Sequence, residues 1–272
     1  QIEEEKILEM FERYPQKLVG LKTRLSANVI GNPKKARKSI EKTVEIADRL
    51  GCNVTVHITN PAMNLEELAS VLRKGDVICH MFQSIGTETI LDENGKIRPG
   101  IWKAKEKGVL FDACNGKNNF NLAVAKKAIE QQFFPDIISS DINTCSYYEG
   151  VLHSLPKVLS KYLAFGRPLE KILDAAILKP AEVLGKKELA SMENGAAADL
   201  CVIENEDEFS ENDIEAPAGA LFNITDQKTL YSKNANDERE IASITKIMTA
   251  LLAMKYADLS QEVTISYTPE GL

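Results

Sequence analysis

Residues 53–80, NVTVHITNPAMNLEELASVLRKGDVICH, decide the fold class. Asn53 to Ile58 is dense in β-branched residues and reads as a strand. Leu65 to Leu72 reads as a helix, and Asp76 to His80 as a second strand. The same alternation extends outward. Upstream lie an amphipathic helix over 3–14, with Ile7, Leu8 and Phe11 on one side, a short strand from Leu18 to Lys22, and a helix from Pro33 to Leu50 stopped by Gly51. Downstream come a helix from Gly100 to Lys107 closed by Gly108, a strand from Val109 to Asp112 and a helix from Leu122 to Gln131. A strand from Asp136 to Asp141 follows, then a helix from Pro156 to Phe165 and short helices over Leu169–Ala175 and Pro180–Leu184. Strict alternation of strand and helix argues a parallel sheet with helices outside it. Strands are expected near 18–22, 53–58, 76–81, 109–113 and 137–141. A whole eight-stranded barrel takes about 250 residues, and here the alternation stops near residue 185. The expected fold is therefore α/β, an incomplete (β/α)8 TIM-type barrel of about five βα units that does not close, then a short α+β fragment. The missing strands are expected before Gln1. An open edge and its apolar surface lead us to expect self-association.

The pattern changes after residue 185. Residues 189–203, LASMENGAAADLCVI, read as a turn and a short strand, and 204–215, ENEDEFSENDIE, as an acidic linker. Then come a strand from Ala218 to Ile224, a turn at Asp226 and Gln227, a returning strand from Thr229 to Tyr231, a helix from Ser243 to Lys255 and a strand from Glu262 to Ser266. The division is 1–203, 204–215 and 216–272.

Composition removes several function classes. The net charge is -7, with Lys and Arg scattered among Asp and Glu, so no basic stripe invites nucleic acid. No apolar run approaches the roughly 20 residues of a membrane helix, and no signal peptide is visible. Five cysteines, Cys52, Cys79, Cys114, Cys145 and Cys201, form no close-spaced pair and read as reduced thiols of a cytoplasmic protein. Cys79 adjoins His80. That adjacency admits a metal role, but neighbours on a strand face opposite ways, which favours a packing role for Cys79 if His80 faces a site.

In a βα barrel the active site lies at the carboxyl ends of the strands. Lys22, His57, His80 and Asp141 stand at or beside four such ends. Any single histidine there is an ordinary hydrogen-bonded residue until shown otherwise; the set of four at equivalent positions points to a metal site. His153 begins a helix, fits no strand end and reads as an outer support of the site or a structural residue. Neutral imidazole suits zinc and similar divalent ions. A lysine amine whose pKa falls on burial can add CO2, and the carbamate is an anion with two oxygens. Asp141 can ligate and take a proton from water, whose acidity a metal raises.

At these residues a resemblance becomes plain. The stretches VGLKTRLS, VTVHITNP, DVICHMF, LFDACNGKNNF, IISSDINT and LPKVLSKYLAFG, with the later NGAAADLCVI, resemble the amidohydrolase superfamily, specifically the amidohydrolase/deacetylase group related to dihydroorotases. The resemblance implies metal-dependent hydrolysis of an amide or cyclic amide of a small-molecule substrate. It implies Lys22 as a carboxylated bridging lysine, His57 and His80 as ligands of divalent ions, zinc being expected, and Asp141 as ligand and general base. The family's His-x-His pair on the first strand has no counterpart here, so the activity is expected to be impaired. Asn115 and Asn143 stand where many relatives carry histidine, which implies different substrate contacts.

A second resemblance follows the linker. PAGALFNITDQKTLYSKNANDEREIASITKIMTALLAMKYADLSQEVTIS is similar to the start of a D-alanyl-D-alanine carboxypeptidase, a penicillin-binding serine hydrolase. Ser243-Ile-Thr-Lys246 is an S-x-x-K motif that puts nucleophile and amine one helical turn apart. No S-x-N or K-T-G follows. The alternatives are a serine-type D-Ala-D-Ala carboxypeptidase fragment, or an inactive fusion of two gene fragments with no measurable amide hydrolysis and no covalent labelling by penicillin.

Overall fold

Four parallel strands form the sheet that carries the site: β1 (Gly20–Arg24), β2 (Asn53–His57), β3 (Val77–Cys79) and β4 (Leu110–Asp112), in the order β1-β2-β3-β4. They belong to a computed structural model that describes residues 2–201 except 16, 117, 149–153, 195 and 197–200, together with the backbone of 219–223 and 228–233. The chain divides into two units, Gln1–Asp199 and Leu200–Leu272. No helix of the described residues is long and apolar enough to cross a membrane.

The expected fifth strand is the principal correction. Residues 136–141 run beside β4, with Ala113 N–H donating to Ile137 O at 2.9 Å and Asn115 N–H to Ser139 O at 3.1 Å, yet only Asp112 and Ile137 form a bridge. The physical reason lies in the backbone. Cys114 (φ 38°) and Asp141 (φ 51°) both enter the left-handed region, which ends extended pairing. Among the described strands the sheet stays open, with β1 paired only to β2.

The helices form where their ends are satisfied. They are α1 (Glu4–Arg13), α2 (Ala27–Ile30), α3 (Pro33–Leu50), α4 (Leu65–Val71), α5 (Pro99–Lys107), α6 (Leu122–Glu130), α7 (Thr144–Tyr148), α8 (Leu155–Ala164), α9 (Leu169–Leu173) and α10 (Lys179–Val183). The Asn32 side chain accepts from Lys35 N–H, Pro33 opens α3, and Gly51 closes it at φ 64°. Asn64 and Asn121 cap α4 and α6 in the same way. Helix α3 buries Ala36, Ile40, Val44, Ile46 and Ala47 and packs on β1 and β2.

The short helices α2 and α7 and the 3-10 turn Lys187–Ala190 have too few residues to show a period, and sequence reading missed them. The two short helices expected near 169–184 are joined by a π-helical turn, Asp174–Leu178. Pro180 follows this wider turn, as suits a residue that cannot donate a helical hydrogen bond.

In the second unit, β5 (Gly219–Asn223) and β6 (Lys228–Lys233) form an antiparallel pair with a bulge between Leu221 and Phe222. The returning strand is longer than the sequence reading made it. The strand expected near 200–203, apart from Cys201, the helix from Ser243, the strand from Glu262, and His153 lie outside the described residues.

Candidate metal centre

All four residues singled out in the barrel sequence, Lys22, His57, His80 and Asp141, line one cavity of about 510 Å³. Each arrives by its own route. Lys22 and Arg24 stand on β1, two residues apart and so on one face. His57 is the last residue of β2, opposite Arg24 on one side and Cys79 on the other. His80 is the first residue beyond β3, and Asp141 ends the segment beside β4.

The two imidazoles meet edge to face, centroids 4.3 Å apart and planes at 76°. His80 is buried, and its Nδ1 donates to the Cys114 carbonyl at 2.8 Å, which aims Nε2 away from that carbonyl. His57 Nε2 is buried with no hydrogen-bond partner. A buried polar atom without a partner costs about 1–3 kcal/mol, so its retention needs a reason. Burial, then His80, Arg24 and Lys22, hold His57 down to about 3. This imidazole is neutral at physiological pH, the state a metal ligand must have.

The Asp141 carboxylate is held by neighbours that sequence reading did not single out. Asn119 Nδ2 donates to Asp141 Oδ2 at 3.2 Å, and Thr59 Oγ1 donates to Asn119 Oδ1 at 2.8 Å. Gly116, at φ 53°, makes room: a Cβ there would lie 2.5 Å from Asp141 Oδ2. Asn119 falls within a stretch that carried the family resemblance, but nothing in its spacing marked it as a support for Asp141.

Three expectations change. Lys22 is exposed rather than buried as anticipated. Asn115 is buried and engaged on both ends of its amide, donating to Ser139 O and accepting from Lys161 Nζ, each at 3.0 Å. It therefore makes no contact in the cavity, whereas Asn143 lines it. Cys79 is not turned away from His80: β3 ends at Cys79, and His80 turns at φ 70°, where strand alternation no longer applies.

Around these two residues several titratable groups meet. The Cys79 thiol hydrogen-bonds Cys114, which together with burial keeps Cys79 protonated, while the same bond and His80 bring Cys114 down to about 5. Burial lowers His80, but the Cys114 thiol and carbonyl outweigh it and raise the imidazole. Asp112 accepts from Cys114 N–H at 3.0 Å and from the Ser139 hydroxyl at 2.8 Å, tying this turn to residues 136–141. Burial, then the Cys114 charge, raises the Asp112 carboxyl to about 7.

Relatives share this framework. A deacetylase of Enterococcus faecalis is 30% identical over 193 residues, covering 70% of this chain and 52% of the relative. A deacetylase of Brucella anthropi is 28% identical over 211 residues, covering 75% of this chain and 50% of the relative. A solved dihydroorotase superposes with a TM-score of 0.61 at 28% identity, covering 71% of this chain and 48% of that one. The βα region belongs to the amidohydrolase superfamily. A solved adenine deaminase superposes on the chain with a TM-score of 0.70 at 26% identity, covering 85% of this chain and 60% of that one. The chain spans about half the length of the curated relatives it matches. Beyond the amidohydrolase region, residues 205–272 match the D-alanyl-D-alanine carboxypeptidase family.

Proposed function

We propose that the amidohydrolase region serves metal-dependent hydrolysis of an amide or cyclic amide in a small-molecule substrate. The observation that carries this reading is the buried, unpartnered Nε2 of His57, in a residue lining the same cavity as His80, Lys22 and Asp141. The donor set suits a divalent ion, with zinc expected: two imidazoles and a carboxylate, one imidazole already neutral. His57, His80 and Asp141 would hold it, with Lys22 contributing as a carbamate made from CO2. Such an ion supplies Lewis acidity for water activation and carbonyl polarisation.

The chain's own residues then divide the work. Asp141, oriented by Asn119 and Thr59, receives a proton within the cavity. His80 is fixed in rotation by its bond to the Cys114 carbonyl. Arg24, beside Lys22 on β1, adds positive charge where an anionic group of a substrate would enter.

Zinc affinity of the whole chain tests the reading. Removing an outer partner of a metal ligand costs roughly 10–100-fold in affinity, and His57→Ala, which removes a ligand, is expected to cost at least that. Bicarbonate should tighten zinc binding, and Lys22→Met should abolish that dependence. Turnover of an N-acetyl amino acid or a cyclic amide should vanish with Asp141→Asn. Zinc binding indifferent to His57 would sink the assignment.

The match at residues 205–272 favours a second reading for that part alone. Ser243 would act as a serine nucleophile with Lys246 as its activating amine. Covalent labelling by a fluorescent penicillin, lost in Ser243→Ala, is the result that would carry it. An unlabelled chain would refute it.

A further inference from the structure

We propose that Cys79, His80 and Cys114 form a second metal site, one selective for a soft ion such as Cd2+ or Cu+. Their donor atoms all lie within 4.8 Å of one another, and all three residues are buried. The topology accounts for the meeting. Cys79 closes β3 and pairs with Asp112, two residues before Cys114. His80 at φ 70° and Cys114 at φ 38° both leave the extended conformation, so three side chains that alternation would separate gather at one point. Left-handed backbone at two non-glycine residues is itself a cost that clusters at functional sites.

The distances suit an ion. With Zn–S near 2.3 Å and Zn–N near 2.0 Å, tetrahedral donors stand roughly 3.5–3.8 Å apart, so closing on the ion needs shifts of about 1 Å at most. His80 Nε2 already lies 4.0 Å from Cys114 Sγ, and the Nδ1 bond to the Cys114 carbonyl leaves Nε2 as the ligating atom. Two sulfurs and an imidazole favour soft ions over Mg2+ or Ca2+. Binding forms two metal–sulfur bonds and one metal–nitrogen bond, and the protons carried by these groups leave to solvent. The site is independent of the hydrolytic reading except that both use His80. A soft ion held here therefore withdraws His80 from the hydrolytic set.

The test is a Cd2+ titration of the reduced full chain, followed by the ultraviolet thiolate-to-cadmium band and by 113Cd NMR. The expected result is one cadmium per chain with two sulfur ligands. That band should persist in Cys52→Ser/Cys145→Ser/Cys201→Ser, which leaves the cluster untouched. It should also persist in His57→Ala, which separates this site from the zinc site proposed above. Cys79→Ser and Cys114→Ser should each weaken cadmium on the order of 100-fold, at the upper end of what outer partners contribute. No thiolate band in the triple-serine chain, or a 113Cd resonance typical of oxygen and nitrogen ligands alone, would overturn the proposal. Neither reading depends on how the Cys79 and Cys114 variants fold.

Discussion

Asp76→Ala is expected to lower the unfolding free energy of the amidohydrolase unit by about 3–5 kcal/mol, the range for breaking a buried ion pair from one side. Asp76 is fully buried just before β3. Its Oδ1 accepts from Val54 N–H and Arg73 Nη2, both at 2.8 Å, and its Oδ2 from Arg73 N–H at 2.7 Å and Nε at 3.0 Å. Arg73 also donates to Asp48 and to the Cys52 carbonyl. One carboxylate thus joins the end of α3, the start of β2 and the turn into β3. Alanine would leave the Val54 N–H orphaned in a residue with no exposure, and the Arg73 guanidinium without its main partner. Arg73 keeps some contact with water, which places the loss toward the lower end. Urea unfolding followed by Trp102, the chain's single tryptophan, measures it. A loss below about 1 kcal/mol would show that water replaces the carboxylate easily.

Phe133→Ala is expected to cost about 3–5 kcal/mol as well, by a different route. The Phe133 ring is fully buried and meets Trp102 edge-on at 4.9 Å and Phe111 at 5.0 Å. The Lys105 ammonium stands 4.9 Å from its centroid while bonding Asp136 and the Phe134 carbonyl. Truncation opens a cavity between α5 and β4 and removes a cation–π partner, so Trp102 emission should move to longer wavelength. Phe133→Leu keeps most of the volume and should lose much less. Equal losses in the two variants would mean that the site collapses around a missing ring.

Local information carried most of the architecture. β-branched runs at Asn53–His57 and capped helical stretches at Pro33–Leu50 and Leu65–Val71 declare themselves, because propensity, burial pattern and end signals agree there. The segment 136–141 was read as a strand and runs beside β4, but its pairing breaks at left-handed residues that no periodicity reveals. Short elements such as Ala27–Ile30 have no period to read.

For the site, the sequence by itself determined which ionisable side chains share a cavity, because parallel segments run their carboxyl ends to one side: Lys22 within β1, His57 at the end of β2, His80 just beyond β3 and Asp141 at the end of the segment beside β4. Only the tertiary structure decided what surrounds them. The support of Asp141 by Asn119 and Thr59, the clearance at Gly116 and the exposure of Lys22 depend on packing between segments distant in sequence. The meeting of Cys79, His80 and Cys114 is the sharpest instance. Strand alternation separates the first two residues, and 34 positions separate His80 from Cys114. Backbone turns just beyond β3 and β4 bring them together, since alternation holds only while the chain stays extended.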